Sequence, residues 1–504
     1  MDEKILIVGA GPTGLVLALW LTKLGVRVRI IDKDSGPGQT SRAMVVHART
    51  LEFYHQIGIA HELVEKGIKV EDVTIRQQGN IAASVVFGLI GKDSSPFPFI
   101  LSFPQDDHEK ILLEHLHQSG VTVERNTELI EFLEDDHGVS ATLKKPDGTE
   151  IATTHYLLGC DGARSVVRNQ LKLDFPGGTY LQIYFVADVL ASGEAIKDNM
   201  QLCLGDTDFT LVFPIRRSGS VRLIGIVPKA IEGNKTIEFL DVVPAVIKNT
   251  KLSISKLNWF STYHSHHRVA KHFREGRVFL LGDAGHIHSP VGGQGMNTGI
   301  GDAINLAWKI AAVLQKRAAV SILDSFEAER ITFAHQLAST TDKVFQAITN
   351  EGLLGKFIKK IWFPYVFPFV ARFARVKLFV FDTVSQIKIQ YRKSPLSKGE
   401  AGRVAGGDRL PWVRMGDSDN FKSLEILDWQ IHVYGKLQDD FCQSITKLGF
   451  VLQVFPWSKE AKKAGLKESA VYFIRPDGYI AYANLNQDNA LLEFIAIHQI
   501  LPRT

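Results

Sequence analysis

Four apolar residues, Ile5-Leu6-Ile7-Val8, run directly into Gly9-Ala10-Gly11-Pro12-Thr13-Gly14, and that junction narrows the possible folds more than any other stretch of the chain. A short apolar run bounded by glycine reads as a buried strand, and the G-x-G-x-x-G spacing behind it turns the chain tightly into a helix. With no side chains at Gly9, Gly11 and Gly14, the backbone can approach a pyrophosphate and present N–H groups at the positive end of that helix. The helix is predicted from about Leu15 to Leu24, followed by the strand Val26-Arg27-Val28-Arg29-Ile30-Ile31 that ends on Asp32. Together these form one βαβ unit, the opening of a dinucleotide-binding domain. Asp32 stands eighteen residues after Gly14, well placed to bond ribose hydroxyls; its other reading is a solvated strand end. Gly9, Gly11, Pro12, Thr13, Gly14, Asp32 and Lys33 are the candidate cofactor residues of this first motif.

A chain of 504 residues is too long for one hydrophobic core and implies roughly two to four packed units. Its 58 basic and 54 acidic residues nearly cancel to a formal charge of +4, which argues against nucleic acid as a partner. Cys160, Cys203 and Cys442 show no C-x-x-C or metal-ligand spacing, so no metal is expected and a reducing cytoplasm is the expected location. No basic segment followed by an apolar signal region opens the sequence. The greasiest stretch, residues 361 to 370, is about half a membrane span and holds Pro364 and Pro368, so no transmembrane segment is expected. A buried helical hairpin accounts for it better than a membrane-surface dock.

The pattern changes several times along the chain. Glu109 to Gln118 reads as an amphipathic helix, followed by strands at Val121–Glu124 and Val139–Leu143, a turn at Pro146-Asp147-Gly148 and a strand toward Leu157-Leu158. From Gly177 to Phe260 alternation dominates, as in Phe209-Thr210-Leu211-Val212-Phe213, and predicts an antiparallel sheet with few helical stretches. An apolar strand at Val278–Leu281 and a long helix from about Met296 to Leu314 then complete the nucleotide domain from a distance, which makes the sheet an insertion. Gly399 to Gly407 reads as a linker into a final unit with strands at Gln430–Tyr434, Val451–Val454 and Tyr472–Ile474. No internal repeat or low-complexity tract is present.

A second glycine-rich motif selects among nucleotides. Gly282-Asp283 follows the apolar strand, and Gly292-Gly293-Gln294-Gly295-Met296-Asn297 opens the long helix after Pro290. Asp283 can accept from ribityl hydroxyls. The helix N-terminus at Gly295-Met296-Asn297 offers N–H groups and a positive dipole end to the pyrimidine edge of an isoalloxazine, where charge gathers on reduction. The run from Gly282 to Ile300, continuing Asp302-Ala303-Ile304-Asn305-Leu306-Ala307-Trp308-Lys309, resembles the FAD-dependent aromatic hydroxylases related to para-hydroxybenzoate hydroxylase. A third motif, Leu158-Gly159-Cys160-Asp161-Gly162-Ala163-Arg164-Ser165, is similar to the segment that this family associates with both FAD and nicotinamide use, through Asp161-Gly162. Ser41-Arg42-Ala43 and Arg49-Thr50-Leu51-Glu52 resemble its segment beside the FAD pyrophosphate, and Pro104-Gln105 its flavin-contacting glutamine. Gly285, Gly301, and Asp32 followed by Lys33 depart from the family's commoner residues without removing a needed group. The tail around Arg475-Pro476-Asp477-Gly478-Tyr479 resembles the thioredoxin-like domain of the phenol and polyketide hydroxylase branches; lacking C-x-x-C, it should do no thiol chemistry.

The resemblance implies an α/β fold: a Rossmann-like FAD-binding domain over 1–75, 100–175 and 270–330, an inserted, mainly antiparallel substrate sheet over 76–99 and 176–269, a helical region over 331–398, and a thioredoxin-like unit over 405–504. It implies an NAD(P)H-dependent FAD monooxygenase that hydroxylates a phenolic or polycyclic aromatic substrate with O2 through a C4a-hydroperoxyflavin, working as a monomer or homodimer. Further cofactor residues it implies are Arg42, Gln105, Asp161, Asp283, Pro290, Gly293, Gly295, Met296 and Asn297, with Pro290 and His47 beside the reacting ring. Arg49 reads equally well as an i,i+3 partner of Glu52 on a helix surface. His264, His266 and His267 are candidates for a phenol-activating base, although a cluster near a strand end is more often solvated. Oxidation of a polyketide, tetracycline or quinone on the same fold is an alternative, as is a non-catalytic flavin-binding protein with the tail as an interaction module. Asp283→Ala is expected to purify as a folded protein that has lost its flavin; an unchanged yellow colour in the absorbance spectrum would count against the assignment.

Overall fold

The computed structural model describes residues 4–38, 43–77, 79–86, 91–205, 208–216, 219–232, 236–289, 291–349, 362, 366–370 and 373–503. Its first sheet has five strands in the order Arg274–Glu275, Val278–Leu280, Tyr156–Gly159, Ile5–Val8 and Val28–Ile31. The last four run parallel, register Leu6 against Leu157 and Arg29, and are made almost entirely of apolar residues. That composition fits strands covered on both faces. Helix Pro12–Lys23 is equally apolar, buried from Gly14 to Leu21, and lies against helices Gln105–Gln118 and Gln294–Leu314. The strand expected at Val121–Glu124 is a single bridge, Ile31 to Glu124, because the chain turns away at Asn126, whose φ is +53°. The helix expected at Glu109 begins at Gln105.

The second sheet has eight strands in the order His286–Ile287, Ser253–Val269, Gly177–Ser192, Ser220–Ile226, Phe209–Arg216, Met200–Leu204, Asp72–Gln77 and Asn80–Val86. All pairs are antiparallel except Met200–Leu204 with Asp72–Gln77. One face packs on helix Phe239–Thr250, where Val242 and Val246 meet Val189, Val212 and Leu223. That helix is one of the few helical stretches of a region otherwise built of strands. The opposite face carries Tyr184, Phe209, Leu211, Phe213, Ile215 and Tyr263, and meets Met44 and Val45 of the first unit. Its edge strand His286–Ile287 grows directly out of the Gly282–Ala284 turn, so the two sheets share the second glycine motif.

A third sheet, Val451–Phe455, Gln430–Tyr434, Val471–Ile474 and Ile480–Asn484, forms the C-terminal unit. Its first pair is parallel and the others antiparallel. Residues 399–407 are not a free linker. Glu400–Ala401 pairs with Val404–Ala405, and the Gly407 N–H donates to Ile480 O at 2.6 Å. Their glycines supply positive φ at Gly399, Gly402 and Gly407 inside a packed turn, where composition alone reads as looseness.

The C-terminal unit is joined to the first by buried charge. Arg475 donates to both Glu329 oxygens at 2.7 and 3.1 Å, and Lys309 Nζ reaches Glu329 at 2.9 Å. Asn305 and Ser394 donate to the same carboxylate. Burial would push the Glu329 carboxyl up, but Arg475 and Lys309 beside it hold it below the usual carboxylate range. Burial brings the Lys309 ammonium down to about 8 despite Glu329. Removing one member of such a cluster strands the others as unpaired charges. Glu329→Ala is therefore expected to cost about 3–5 kcal/mol in denaturant unfolding; a loss below about 1 kcal/mol, the range of exposed pairs, would contradict this account.

Candidate functional site

The sequence motifs meet at one edge of the parallel sheet. Gly9 follows Val8, Asp32 follows Ile31, Cys160-Asp161 follows Gly159, and Leu281-Gly282 follows Leu280, so four adjacent strands release their candidate residues at the same carboxyl ends. Ligand crevices of open parallel sheets form in this position. A cleft of about 290 Å³ opens there, lined among others by Gly9, Gly11, Asp32, Lys33, Glu109, Arg125 and Asp161.

The three glycines of the first motif do different jobs. A Cβ on Gly14 would lie 1.9 Å from Gly9 O, and one on Gly9 2.4 Å from Cys160 O, with Gly9 at φ +103°. These two allow the strand, the helix and the neighbouring strand end to close on one another. Gly11 has an ordinary φ of −75° and nothing within 4 Å of its Cβ position, so its bareness leaves open space over the helix terminus. No side chain caps that terminus, and Pro12 occupies its first turn. Its N–H groups are available to an anion. The cleft lining carries five acids, Asp32, Asp34, Glu109, Glu128 and Asp161, against Lys33, Arg125 and Arg164. A pyrophosphate would therefore be held by backbone and dipole, while the acids suit hydroxyls.

Arg125 has a buried Nη2 without a hydrogen-bond partner, and its Nη1 stands 3.8 Å from Asp32 Oδ2. An orphaned donor at a cleft wall beside a strand-end acid fits a ribose or phosphate oxygen. The Asp32 carboxylate also accepts from the Ala10 N–H at 2.6 Å, tying the second strand end to the first loop. Glu109 and Arg125 belong to no motif; the sequence signal for Arg125 is the strand-like Val121–Glu124, whose end meets Asp32 through the Asp32 N–H to Glu124 O bond. Asp161 lines the cleft, but its carboxylate accepts from Ser165 Oγ, Val166 N and Val167 N at 2.6 to 3.1 Å. Its charge caps the helix Val166–Gln170, which leaves mainly its backbone to face the cleft. Burial nevertheless raises its pKa.

The second motif touches the first through Thr13. A Cβ on Gly282 would sit 2.7 Å from Thr13 Oγ1 and one on Gly299 2.3 Å from it. Asp283 is exposed at the mouth of that contact. The long helix opens at Gln294 behind two left-handed glycines, Gly292 at φ +80° and Gly293 at φ +63°; Gly295 and Met296 follow in its first turn. The Asn297 side chain is bonded within the protein. Its Nδ2 donates to Val45 O and Gly293 O, and its Oδ1 accepts from His47 N and Thr50 Oγ1. His47 is fully buried, with Nε2 3.0 Å from Gly292 O, and desolvation lowers its pKa to about 4. The ring is enclosed by the glycine loop and braces it through Gly292 O. Arg42 and Pro290 lie outside the described residues.

Gln105 starts its helix and bonds Glu109 Oε1 at 2.8 Å, while its N–H donates to Ala43 O. Arg49 proves to be the i,i+3 partner of Glu52 at 2.9 Å. Of the three strand histidines, His264 is exposed, His266 meets Thr179 Oγ1, and His267 packs its ring on Tyr180. Among the described residues no group of His, Cys, Asp and Glu could hold a metal ion, and no helix is long and apolar enough to cross a membrane.

Comparison with known proteins shows the family. The family described as FAD binding domain matches residues 2–341. The 6-methylpretetramide 4-monooxygenase of Streptomyces rimosus is 33% identical over 407 residues, 80% of this chain and 72% of its own length. An uncharacterized aromatic compound monooxygenase of Bacillus subtilis is 30% identical over 96% of this chain and 94% of its own. Among solved structures, CabE, an aromatic hydroxylase from angucycline biosynthesis, superposes with a TM-score of 0.79 at 25% identity, over 100% of both chains. The chain belongs to this family of FAD-dependent monooxygenases and is an enzyme.

Because a Cβ on Gly11 meets nothing, Gly11→Val should fold with little change in melting temperature yet bind FAD at least about a hundredfold more weakly, through loss of close backbone approach. Flavin fluorescence titration beside a thermal melt checks both halves; unchanged affinity would remove Gly11 from the site.

Proposed function

We propose that the chain hydroxylates a phenolic aromatic compound, with fused-ring polyketides as the preferred class, using FAD, O2 and NADH or NADPH. The observation that carries the reading is the convergence of Gly9–Gly14, Asp32, Asp161 and Gly282-Asp283 at four neighbouring strand ends, beside a sheet face lined by apolar and aromatic side chains. The similarity to a 6-methylpretetramide monooxygenase supports the substrate class. In the same reading residues 1–75, 100–175 and 270–330 form the cofactor domain, and the protein acts in the cytoplasm as a monomer or homodimer.

Bound FAD would supply the redox and oxygen-transfer chemistry, drawing electrons from the nicotinamide. The protein's part is to bind, orient and keep dry. Gly11 to Gly14 and the helix terminus behind them would take the pyrophosphate, Asp32 and Arg125 the adenosine hydroxyls, and Asp283 the ribityl chain. The first turn of the helix Gln294–Leu314, with Gly293, Gly295 and Met296, would aim N–H groups at the ring edge that gains negative charge. Tyr184, Leu211, Phe213, Ile215 and Tyr263 would seat an aromatic substrate and exclude water. Arg42, Gln105 and Pro290 would complete the cofactor contacts.

Purified holoprotein is expected to oxidise NADH or NADPH faster when a polycyclic phenol is added, and to return a product heavier by one oxygen. The screen should span simple phenols, hydroxybenzoates and polycyclic quinones. A flavin-loaded protein whose nicotinamide oxidation answers to no ring compound would sink the reading.

A further inference from the structure

The C-terminal unit reaches toward the glycine loop of the proposed flavin site through a chain of buried contacts. Its turn Arg475-Pro476-Asp477-Gly478 sits against the helices Ala48–Gln56 and Gln294–Leu314. The Arg49 Nη2 donates to Asp477 O at 2.9 Å, and Trp308 Nε1 donates to the Asp477 carboxylate at 3.0 Å. The Arg49 guanidinium lies 4.8 Å over the Tyr479 ring and 4.0 Å over Phe53. Arg49, Trp308, Arg475 and Asp477 are all buried.

Arg49 belongs to the first turn of its helix, and both neighbours of that turn hold the loop. His47 N and Thr50 Oγ1 both donate to Asn297 Oδ1, at 2.9 and 2.8 Å, and the His47 ring meets Gly292 O. Asn297 in turn donates to Gly293 O. Gly292 and Gly293 hold left-handed conformations that glycine populates as readily as others, so the loop has no stiffness of its own. Its shape is imposed from outside by His47 and Asn297, and the helix turn that carries His47 is clamped on its other side by Asp477.

We infer that the Arg475–Tyr479 turn is a positioning element of the flavin site, acting through Arg49 to fix the His47–Asn297 clasp over Gly292 and Gly293. The inference rests on the proposed flavin site. Arg49, Asp477 and Arg475 touch neither cofactor nor substrate in this account; they set the place of the groups that do. The C-terminal unit thereby becomes part of the enzyme's binding geometry and not an appended interaction module.

The test compares three full-length holoproteins. Arg49→Lys keeps a positive charge beside Glu52 but gives up the donor to Asp477. Arg317→Lys disturbs a different contact of the same unit, the Arg317 to Asp428 pair at 2.9 Å, just past the far end of the long helix. That end is about 30 Å from Gly293 along a helix of 21 residues. Arg49→Lys is expected to weaken FAD binding about tenfold, the scale of one lost charged hydrogen bond, and to shift the visible circular dichroism and midpoint potential of the bound flavin. Arg317→Lys should leave all three readouts at the wild-type value even if its melting temperature falls. Equal shifts in both variants, or none in Arg49→Lys, overturn the inference, because the unit would then only stabilise. If Arg49→Lys fails to fold, Tyr479→Leu, which removes the ring of the same turn from under the Arg49 guanidinium, is read in the same way. A wild-type chain that takes up no FAD overturns the functional reading itself, which is a separate result.

Discussion

The Asp302 carboxylate is the point on which the cofactor side of this structure depends. Wholly buried, it accepts from the Gly282 N–H at 3.0 Å, from His286 Nε2 at 2.7 Å and from Arg330 Nε at 2.6 Å. Arg330 passes the connection on to Thr298 O and the Tyr391 hydroxyl. One anion thus ties the turn after the fourth parallel strand, the edge strand of the eight-stranded sheet, the long helix and the segment leading to the C-terminal unit. Burial would raise its pKa, and Arg330 and His286 more than reverse that, so it stays ionised. An isolated buried charge would not survive in this setting; a charge with three donors becomes a fixed reference for the elements around it.

Around that reference, backbone and side chain divide the work. In the proposed site an anionic cofactor would approach bare backbone at Gly11 and at the helix terminus. Where elements must be held, the chain uses polar side chains with every contact internal, as in Asn297 and the carboxylate of Asp161. The same residue types thus serve both roles, and only their surroundings tell them apart. The acid-rich lining makes sense on these terms, since hydroxyl groups want acceptors and the phosphates have dipole and N–H groups to meet them.

Much of the site was legible because it is written in short-range pattern. Apolar runs ending in glycine or acid marked the strand ends at Val8, Ile31, Gly159 and Leu280, and alternation marked the long strands of the second sheet. Helix Phe239–Thr250, with Phe239, Val242 and Val246 at helical spacing behind the Glu238–Asp241 capping box, is hidden by the alternation of the strands on either side of it, and residues 399–407 were misread because glycine marks tight packed turns as well as loose ones. Arg125 and Glu109 carry no pattern at all. Arg125 enters the cleft only when Glu124 comes to lie beside Ile31, and Glu109 only when helix Gln105–Gln118 packs on helix Pro12–Lys23.

What the amino-acid order determined unaided was the set of local units: a strand that must turn on glycine into a helix, a second turn of the same kind, and an alternating segment that reads as sheet. These depend on neighbours within a few residues, and sterics at that range are the same in any fold. Only the tertiary structure decided which charges meet. Arg475 with Glu329, Arg330 with Asp302, and Arg409 with Glu52 join positions separated by tens to hundreds of residues. Whether a charged side chain is a solvated ornament or a buried tie depends on the water removed around it, and that is a property of the assembled interior, absent from any stretch of chain read alone.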